Sequence, residues 1–247
     1  MPPTNSIGCS TCCLMDRTLE EALSLVSRYT GLAEILSDGP HDLFGEEETC
    51  SSFDLRYTVH APVADINIAS ENEHLRRASV RVVSDLADLC DRIGAGRLVI
   101  HPGHTWGEEM RGVAERALNR SLSDLATIQQ DVNVRLALEN MGAWDICFFR
   151  EPGFLARLAD GGLGFALDVG HAHVNGNLGP FLEEGGAIHV HLHDNCGNRD
   201  DHLACGEGSI DFRRVLRVLP RSATKIVEPA SFRQYEKSIE YLRSIVP

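Results

Sequence analysis

Carboxylate and imidazole side chains recur at the ends of predicted strands in this 247-residue chain. Such side chains are the usual protein ligands of Zn²⁺, Mn²⁺ and Fe²⁺. Because the candidates lie far apart in sequence, they can share a cation only if the fold brings the strand ends together. The pattern therefore predicts a metalloenzyme. The candidate ligands are His60, His101, Glu139, Asp168, His171, His191, Asp200, His202 and Glu228.

Two glutamates each follow a run of apolar residues. Glu139 ends the segment LALE, and Glu228 ends the segment IVE before Pro229, which favours a turn. A carboxylate at the end of a buried strand must be solvated, paired or metal-bound, because burying an unpaired charge is costly. We expect both to bind metal. His60 in VHAP and His101 in VIHPG are weak signals alone and gain weight as members of the set.

The segment IHVHLHDN places His189, His191 and His193 at alternate positions. In a strand this spacing puts all three side chains on the same face. We expect His191 to bind metal, His193 or Asp194 to support it, and His189 to pack deeper in the fold.

Two further segments supply candidates. In FALDVGHAHV, Asp168 ends a strand and His171 follows by one turn, so both can face the same opening. In DDHLACGEGSIDF, Asp200 and His202 precede Gly206, Glu207 and Gly208. The small residues of that last triplet allow backbone amides to approach an anion or a sugar hydroxyl closely, which predicts a substrate contact.

Apolar, β-branched runs alternate with amphipathic stretches along the chain, a pattern typical of strand-helix units around a parallel sheet. Eight such units predict an α/β fold, a single (β/α)₈ barrel over residues 1–247, with catalytic side chains at the C-terminal ends of the strands. The predicted strands are Ser6–Cys9, Leu32–Leu36, Leu55–His60, Arg97–His101, Val134–Glu139, Gly164–Asp168, Ile188–His193 and Thr224–Glu228. The predicted helices are Thr18–Tyr29, Asn72–Ile93, Met110–Gln130, Pro152–Leu158, Phe212–Leu219 and Phe232–Ile245.

Composition restricts the class of protein. No apolar stretch reaches the roughly 18 residues that a membrane span needs, and the N-terminus lacks a secretion pattern, so we expect a cytoplasmic protein. The eight cysteines are scattered, and we expect reduced thiols. The net charge of −13 weighs against a nucleic-acid partner but leaves one open, because acids that bind divalent cations would be neutralised locally.

The chain resembles the xylose isomerase-like TIM-barrel superfamily, which includes sugar isomerases, epimerases and endonuclease IV. The resemblance runs nearly end to end and rests on HAPVADINIAS, VIHPG, LENMG, LDVGHAHVNG, HLHDNCGNRDDHLACGEGSIDF and IVEP. It implies one to three divalent metal ions per chain, Zn, Mn, Mg or Fe. In the isomerase branch the implied ligands of a single ion are Glu139, Asp168, His191 and Glu228.

The endonuclease IV branch implies three zinc ions. The first would use His60, His101 and Glu139, the second the four ligands above, and the third His171, Asp200 and His202. Three departures weigh against this branch: Val63 follows HAP where the nuclease has an aromatic residue, the chain is shorter, and it is acidic.

The preferred hypothesis is therefore an isomerase or epimerase of a small sugar or sugar phosphate that acts through an enediolate. Glu139 and Glu228 would exchange the proton, His171 would hydrogen-bond a substrate oxygen, and His101 and the Gly206–Gly208 loop would contact the substrate. A phosphodiesterase acting on abasic-site DNA is the alternative, and a non-catalytic metal-dependent binding protein is a third. Substrate, native metal and oligomeric state stay open.

Overall fold

The computed structural model describes residues 7–245, and its eight strands close into a parallel barrel in chain order. This confirms the predicted (β/α)₈ fold. The strands are β1 Gly8–Ser10, β2 Leu32–Leu36, β3 Arg56–His60, β4 Arg97–Ile100, β5 Arg135–Glu139, β6 Gly164–Asp168, β7 His189–Leu192 and β8 Thr224–Val227. Closure comes from β1 pairing with β8, with Cys9 opposite Val227.

Helices lie between the strands and begin and end largely where the sequence signals predict. Thr18 forms a capping box with Glu21 at the start of α1, and Gly94 ends α3 in the left-handed conformation at φ 70°. The helices are α1 Leu19–Val26, α2 Glu47–Ser51, α3 Glu73–Ile93, α4 Arg111–Asp131, α5 Leu155–Asp160, α6 Val169–Val174, α7 Leu178–Glu184, α8 Phe212–Val218 and α9 Phe232–Ile245.

Several boundaries differ from the predictions. The first strand begins at Gly8 rather than Ser6, and Ser6 itself lies outside the described residues. Three other strands end early, β4 at Ile100, β7 at Leu192 and β8 at Val227, because the residues that follow turn into the loops at the barrel rim. The short helices α2, α6 and α7 were not predicted, and their five to seven residues give only a weak helical period.

Alternate residues of each strand face the helices or the barrel interior. Leu98, Leu136 and Leu167 belong to the large apolar core under the helices. Val99, Ala137 and Ala166 form a separate small apolar cluster inside the barrel. The next inward position along β5 and β6 is Glu139 and Asp168, so the strand period that builds the core also directs these carboxylates into the barrel mouth. Within residues 7–245, no helix is long and apolar enough to span a membrane.

Candidate metal centre

The central cluster consists of Glu139, Asp168, His191 and Glu228, whose ligand atoms all lie within 4.8 Å of one another. His191 Nδ1 is 3.4 Å from Glu139 Oε1, 3.7 Å from Asp168 Oδ2 and 3.6 Å from Glu228 Oε2. The ligands come from or directly follow the consecutive strands β5, β6, β7 and β8, and Asp168 is the register partner of His191. Neighbouring parallel strands therefore place them side by side at the C-terminal rim.

Burial and charge in the central cluster favour a bound cation. Burial opposes ionisation of Glu139 and Asp168, but the charge of His191 on Glu139 and of His171 on Asp168 outweighs it and lowers the pKa of both carboxyls. Burial likewise opposes protonation of His191, yet the surrounding carboxylates raise its pKa well above the ordinary value. Among the described residues, His191 Nδ1 is buried and has no hydrogen-bond partner, although three carboxylates face it. A divalent cation would satisfy all of these groups at once.

A flanking cluster of His60, His101 and Glu139 adjoins the central one. Glu139 Oε2 is 3.0 Å from His60 Nε2 and 3.5 Å from His101 Nε2, while its other oxygen faces His171 and His191. Glu139 therefore stands between the two clusters, where one carboxylate can bridge two ions.

The loop cluster consists of His171, His193, Asp200 and His202, again with ligand atoms within 4.8 Å. Its members lie on α6, just after β7 and in the following loop. The structure thus brings together the three predicted residues His171, Asp200 and His202. It adds His193, which the sequence suggested only as a supporting partner. His193 does contact Asp168, at 3.0 Å from Nε2 to Oδ1, and its Nδ1 lies 3.7 Å from Asp200 Oδ1 of the loop cluster.

His171 differs from its predicted role of hydrogen-bonding a substrate oxygen. Its Nδ1 lies 2.9 Å from the Asn140 carbonyl oxygen, and its Nε2 is 3.2 Å from Asp200 Oδ2. Both ring nitrogens therefore face protein groups. His171 lies on the unpredicted helix α6, and its Nδ1 is also 3.3 Å from Glu139 Oε1 of the central cluster.

The structure also differs from the prediction that the Gly206–Gly208 triplet contacts the substrate. The amides of Gly206 and Gly208 donate to Asp194 Oδ2, each at 2.9 Å, and the Glu207 amide donates to the Ala204 carbonyl. These donors are occupied within the protein, so they do not offer a phosphate site. The Glu207 side chain forms an exposed ion pair with Lys237.

Glu34 is the residue that the sequence analysis missed. This fully buried carboxylate on β2 lies 2.8 Å from His191 Nε2 and 2.9 Å from His189 Nε2, and it accepts a hydrogen bond from Thr58 at 3.0 Å. Burial opposes its ionisation, but the charges of His191 and His189 lower its pKa well below the ordinary value. A single acid within the apolar strand LAEIL was the available signal. The prediction that His189 packs deep in the barrel agrees with its complete burial.

Known proteins share both the sequence pattern and the fold. A family model described as xylose isomerase-like TIM barrel matches residues 46–245. An uncharacterized protein of Methanocaldococcus jannaschii, MJ1614, is 33% identical over 228 residues, covering 90% of this chain and 91% of the relative. A probable endonuclease 4 of Mycobacterium leprae is 28% identical over 199 residues, covering 75% of this chain and 77% of the relative.

Solved structures agree on the architecture. A D-tagatose 3-epimerase-like protein superposes with a TM-score of 0.86 at 28% identity, covering 97% of this chain and 96% of the other. The TTHB071 protein from Thermus thermophilus, soaked with ZnCl₂, superposes with a TM-score of 0.73 at 26% identity, covering 94% and 95% of the two chains.

Proposed function

We propose that this chain, which belongs to the xylose isomerase-like TIM-barrel family, is a divalent-metal-dependent isomerase or epimerase of a small sugar or sugar phosphate. The observation that carries the proposal is the central cluster, where two glutamates, an aspartate and a histidine converge within 4.8 Å at the barrel rim. The near-complete overlap with the D-tagatose 3-epimerase-like structure supports a small sugar substrate.

The donor set of the central cluster fits a cation that keeps open positions for a substrate. Three carboxylates and one imidazole suit Mn²⁺ or Mg²⁺, whose octahedral geometry leaves two positions free after four protein ligands. A cation held there supplies Lewis-acid stabilisation of negative charge that develops on a sugar oxygen.

The two glutamates are placed to move a proton at the carbon beside a sugar carbonyl. Glu228 is 14% exposed and Glu139 only 1%, so Glu228 is the carboxylate that a substrate in the barrel mouth meets first. Glu139 approaches the same centre from β5, on the other side of His191. Removal of a proton by one carboxylate and delivery of a different proton from the other glutamate, in its protonated form, would invert the carbon. His101, which is 26% exposed, is the remaining predicted substrate contact with access to the mouth.

Solvent isotope exchange tests this proposal. The Mn²⁺-loaded protein is incubated in D₂O with a panel of ketoses, aldoses and their phosphates, and deuterium at the carbon next to the carbonyl is measured by NMR. We expect incorporation into at least one sugar, and its loss in Glu228→Gln. A panel without incorporation under conditions where the metal is bound would refute the isomerase proposal.

One observation favours a phosphodiesterase as the second candidate. The flanking and loop clusters complete the three ligand sets that the endonuclease IV resemblance implies, and an endonuclease 4 relative matches 75% of this chain. Clustered cations of this kind activate water and stabilise a transferring phosphate. Cleavage of an abasic-site duplex by the zinc-loaded protein, without isotope exchange into any sugar, would establish this candidate instead.

A further inference from the structure

We propose that the loop cluster is a closed, tetrahedral zinc site that fastens the loop between β7 and α8 to the barrel, with His193 as its fourth ligand. The resemblance implied three ligands here, which would leave one position open. The addition of His193 makes the site structural rather than catalytic. This inference concerns a site outside the central cluster, and its tests do not depend on the reaction.

The hydrogen bonds of the three histidines determine which nitrogen of each ring is free. Each ring has one nitrogen within hydrogen-bond distance of an oxygen that lies outside the loop cluster. A proton on that nitrogen leaves the lone pair of the other nitrogen, which faces Asp200, for a metal ion. The acceptor contacts are His171 Nδ1 with the Asn140 carbonyl at 2.9 Å, His193 Nε2 with the Asp168 carboxylate at 3.0 Å, and His202 Nδ1 with the Glu228 carbonyl at 2.9 Å.

The free nitrogens converge on Asp200. His171 Nε2 and His202 Nε2 are each 3.2 Å from Asp200 Oδ2, and His193 Nδ1 is 3.7 Å from Asp200 Oδ1. The last distance is too long for a hydrogen bond. Within residues 7–245, both His193 Nδ1 and Asp200 Oδ1 are buried polar atoms that have no hydrogen-bond partner. Buried polar atoms of this kind need a partner, and a cation between them would bind both.

The fold makes specific room for the His193 ring. His193 is fully buried and stacks on His202, with ring centroids 3.9 Å apart and planes 9° from parallel. A Cβ atom at Gly170 would overlap the His193 ring, so this position requires glycine. His202 adopts φ 46°, a left-handed conformation that is costly for a residue other than glycine. Zinc binding by His202 would stabilise that conformation.

The donor set specifies both the metal and the role. Three imidazoles and one carboxylate in a compact group suit Zn²⁺, and four protein ligands complete its tetrahedral shell. A filled shell leaves no position for water or phosphate, which is typical of a structural zinc site. Asp200 and His202 lie within the loop, whereas His171 lies on α6 and His193 directly follows β7. The ion would therefore join the loop to the barrel.

Cobalt spectroscopy tests the fourth ligand. Tetrahedral Co²⁺ absorbs visible light far more strongly than octahedral Co²⁺, so the intense bands do not report the central cluster. The flanking cluster could also hold tetrahedral Co²⁺, so His60→Gln is introduced into every cobalt sample, and the protein with this substitution alone serves as the wild type for the loop cluster. We expect the wild-type bands to be unchanged by azide or phosphate, because no position is open. In His193→Gln we expect the bands to shift on azide addition and zinc affinity to fall by at least about 10–100-fold. Wild-type bands that respond to azide would overturn the closed site.

Limited proteolysis tests the fastening role. The Arg199 side chain is 83% exposed in the loop, which offers a trypsin site next to Asp200. We expect zinc to slow cleavage there in the wild type and in Glu228→Gln, and to give no protection in Asp200→Asn or His193→Gln. His173→Gln is the matched control, because His173 lies on α6, the helix that carries His171, and contacts Ser209 instead of the loop cluster. Zinc protection that persists in both Asp200→Asn and His193→Gln would refute the proposal.

Discussion

The central cluster and the loop cluster are built from the same two side-chain types but in opposite proportions. The central cluster has three carboxylates and one imidazole, and the loop cluster has three imidazoles and one carboxylate. Oxygen-rich sets suit octahedral cations with exchangeable positions, whereas nitrogen-rich sets of four suit tetrahedral zinc. One barrel rim can thus hold a site for chemistry beside a site for structure, and the ratio of oxygen to nitrogen donors distinguishes them.

The two clusters also differ in what positions their residues. Strand register alone aligns Asp168 with His191, and strand ends are among the most rigid parts of a barrel. Asp200 and His202 lie in a loop, and His202 needs a left-handed backbone. The central cluster is therefore preorganised for its ion, while the loop cluster depends on its ion for order.

The largest expected effect is on the reaction, which should depend on the central cluster and not on the loop cluster. Glu228→Gln keeps the size of the side chain but removes the proton acceptor nearest the barrel mouth. We expect isotope exchange into the substrate to fall by about 10²–10⁴-fold. The tetrahedral Co²⁺ bands should persist, because the hydrogen bond that His202 makes to Glu228 involves the backbone carbonyl, which the substitution keeps. Glu236→Gln, at an exposed glutamate that contacts Tyr29, should retain exchange. Normal exchange in Glu228→Gln would remove this residue from the mechanism.

A second prediction is that Glu34 affects metal binding at the central cluster but not at the loop cluster. The Glu34 carboxylate lies 2.8 Å from His191 Nε2, which directs the opposite nitrogen at the central cluster. We expect Glu34→Gln to weaken Mn²⁺ binding by about 10–100-fold and to leave zinc protection of the Arg199 site intact. Isothermal titration of the folded variant measures the first effect. Thr58→Val, which removes only a neutral hydrogen bond to Glu34, should change Mn²⁺ affinity less. Equal losses at both clusters would indicate general destabilisation instead of positioning.

The smallest expected effect is on the pH dependence of stability, measured on the chelator-treated protein. Burial raises the pKa of Glu139 and Asp168, but the charges of His191 and His171 lower it further, so their contribution to stability is lost as the pH falls. Burial opposes protonation of His202, but Asp200 and Glu228 raise its pKa to about 9, so its contribution is lost as the pH rises through about 9.

Urea unfolding across this range should therefore show greatest stability near neutral pH. Added zinc should prevent the loss of stability at alkaline pH, because the ion replaces the proton at His202. An alkaline loss that zinc does not change would argue against metal binding by His202.

Much of the central cluster could be predicted from sequence because its residues end apolar strands. Glu139, Asp168 and Glu228 each follow a run of apolar residues, which predicts their position at a strand end. Because successive side chains of a strand point to opposite faces, the same run predicts which side chains share the direction of the carboxylate. The barrel itself follows from the regular alternation of strands and helices, and the structure confirms it.

The remaining features depend on contacts that no local pattern contains. The Gly206 and Gly208 amides are occupied because Asp194, in another segment, accepts from both. His193 joins the loop cluster because Gly170 leaves space for its ring. Glu34 lies on a different strand from the histidine that it contacts. Such pairings require the closed barrel, and a single sequence does not specify them.

The most direct test of two unlike metal sites is anomalous diffraction from crystals grown with both Mn²⁺ and Zn²⁺, with data collected on either side of each absorption edge. We predict a manganese peak between Glu139, Asp168, His191 and Glu228, and a zinc peak between His171, His193, Asp200 and His202. The absence of a peak at the central cluster, or side chains there that point away from a common centre, would contradict the account.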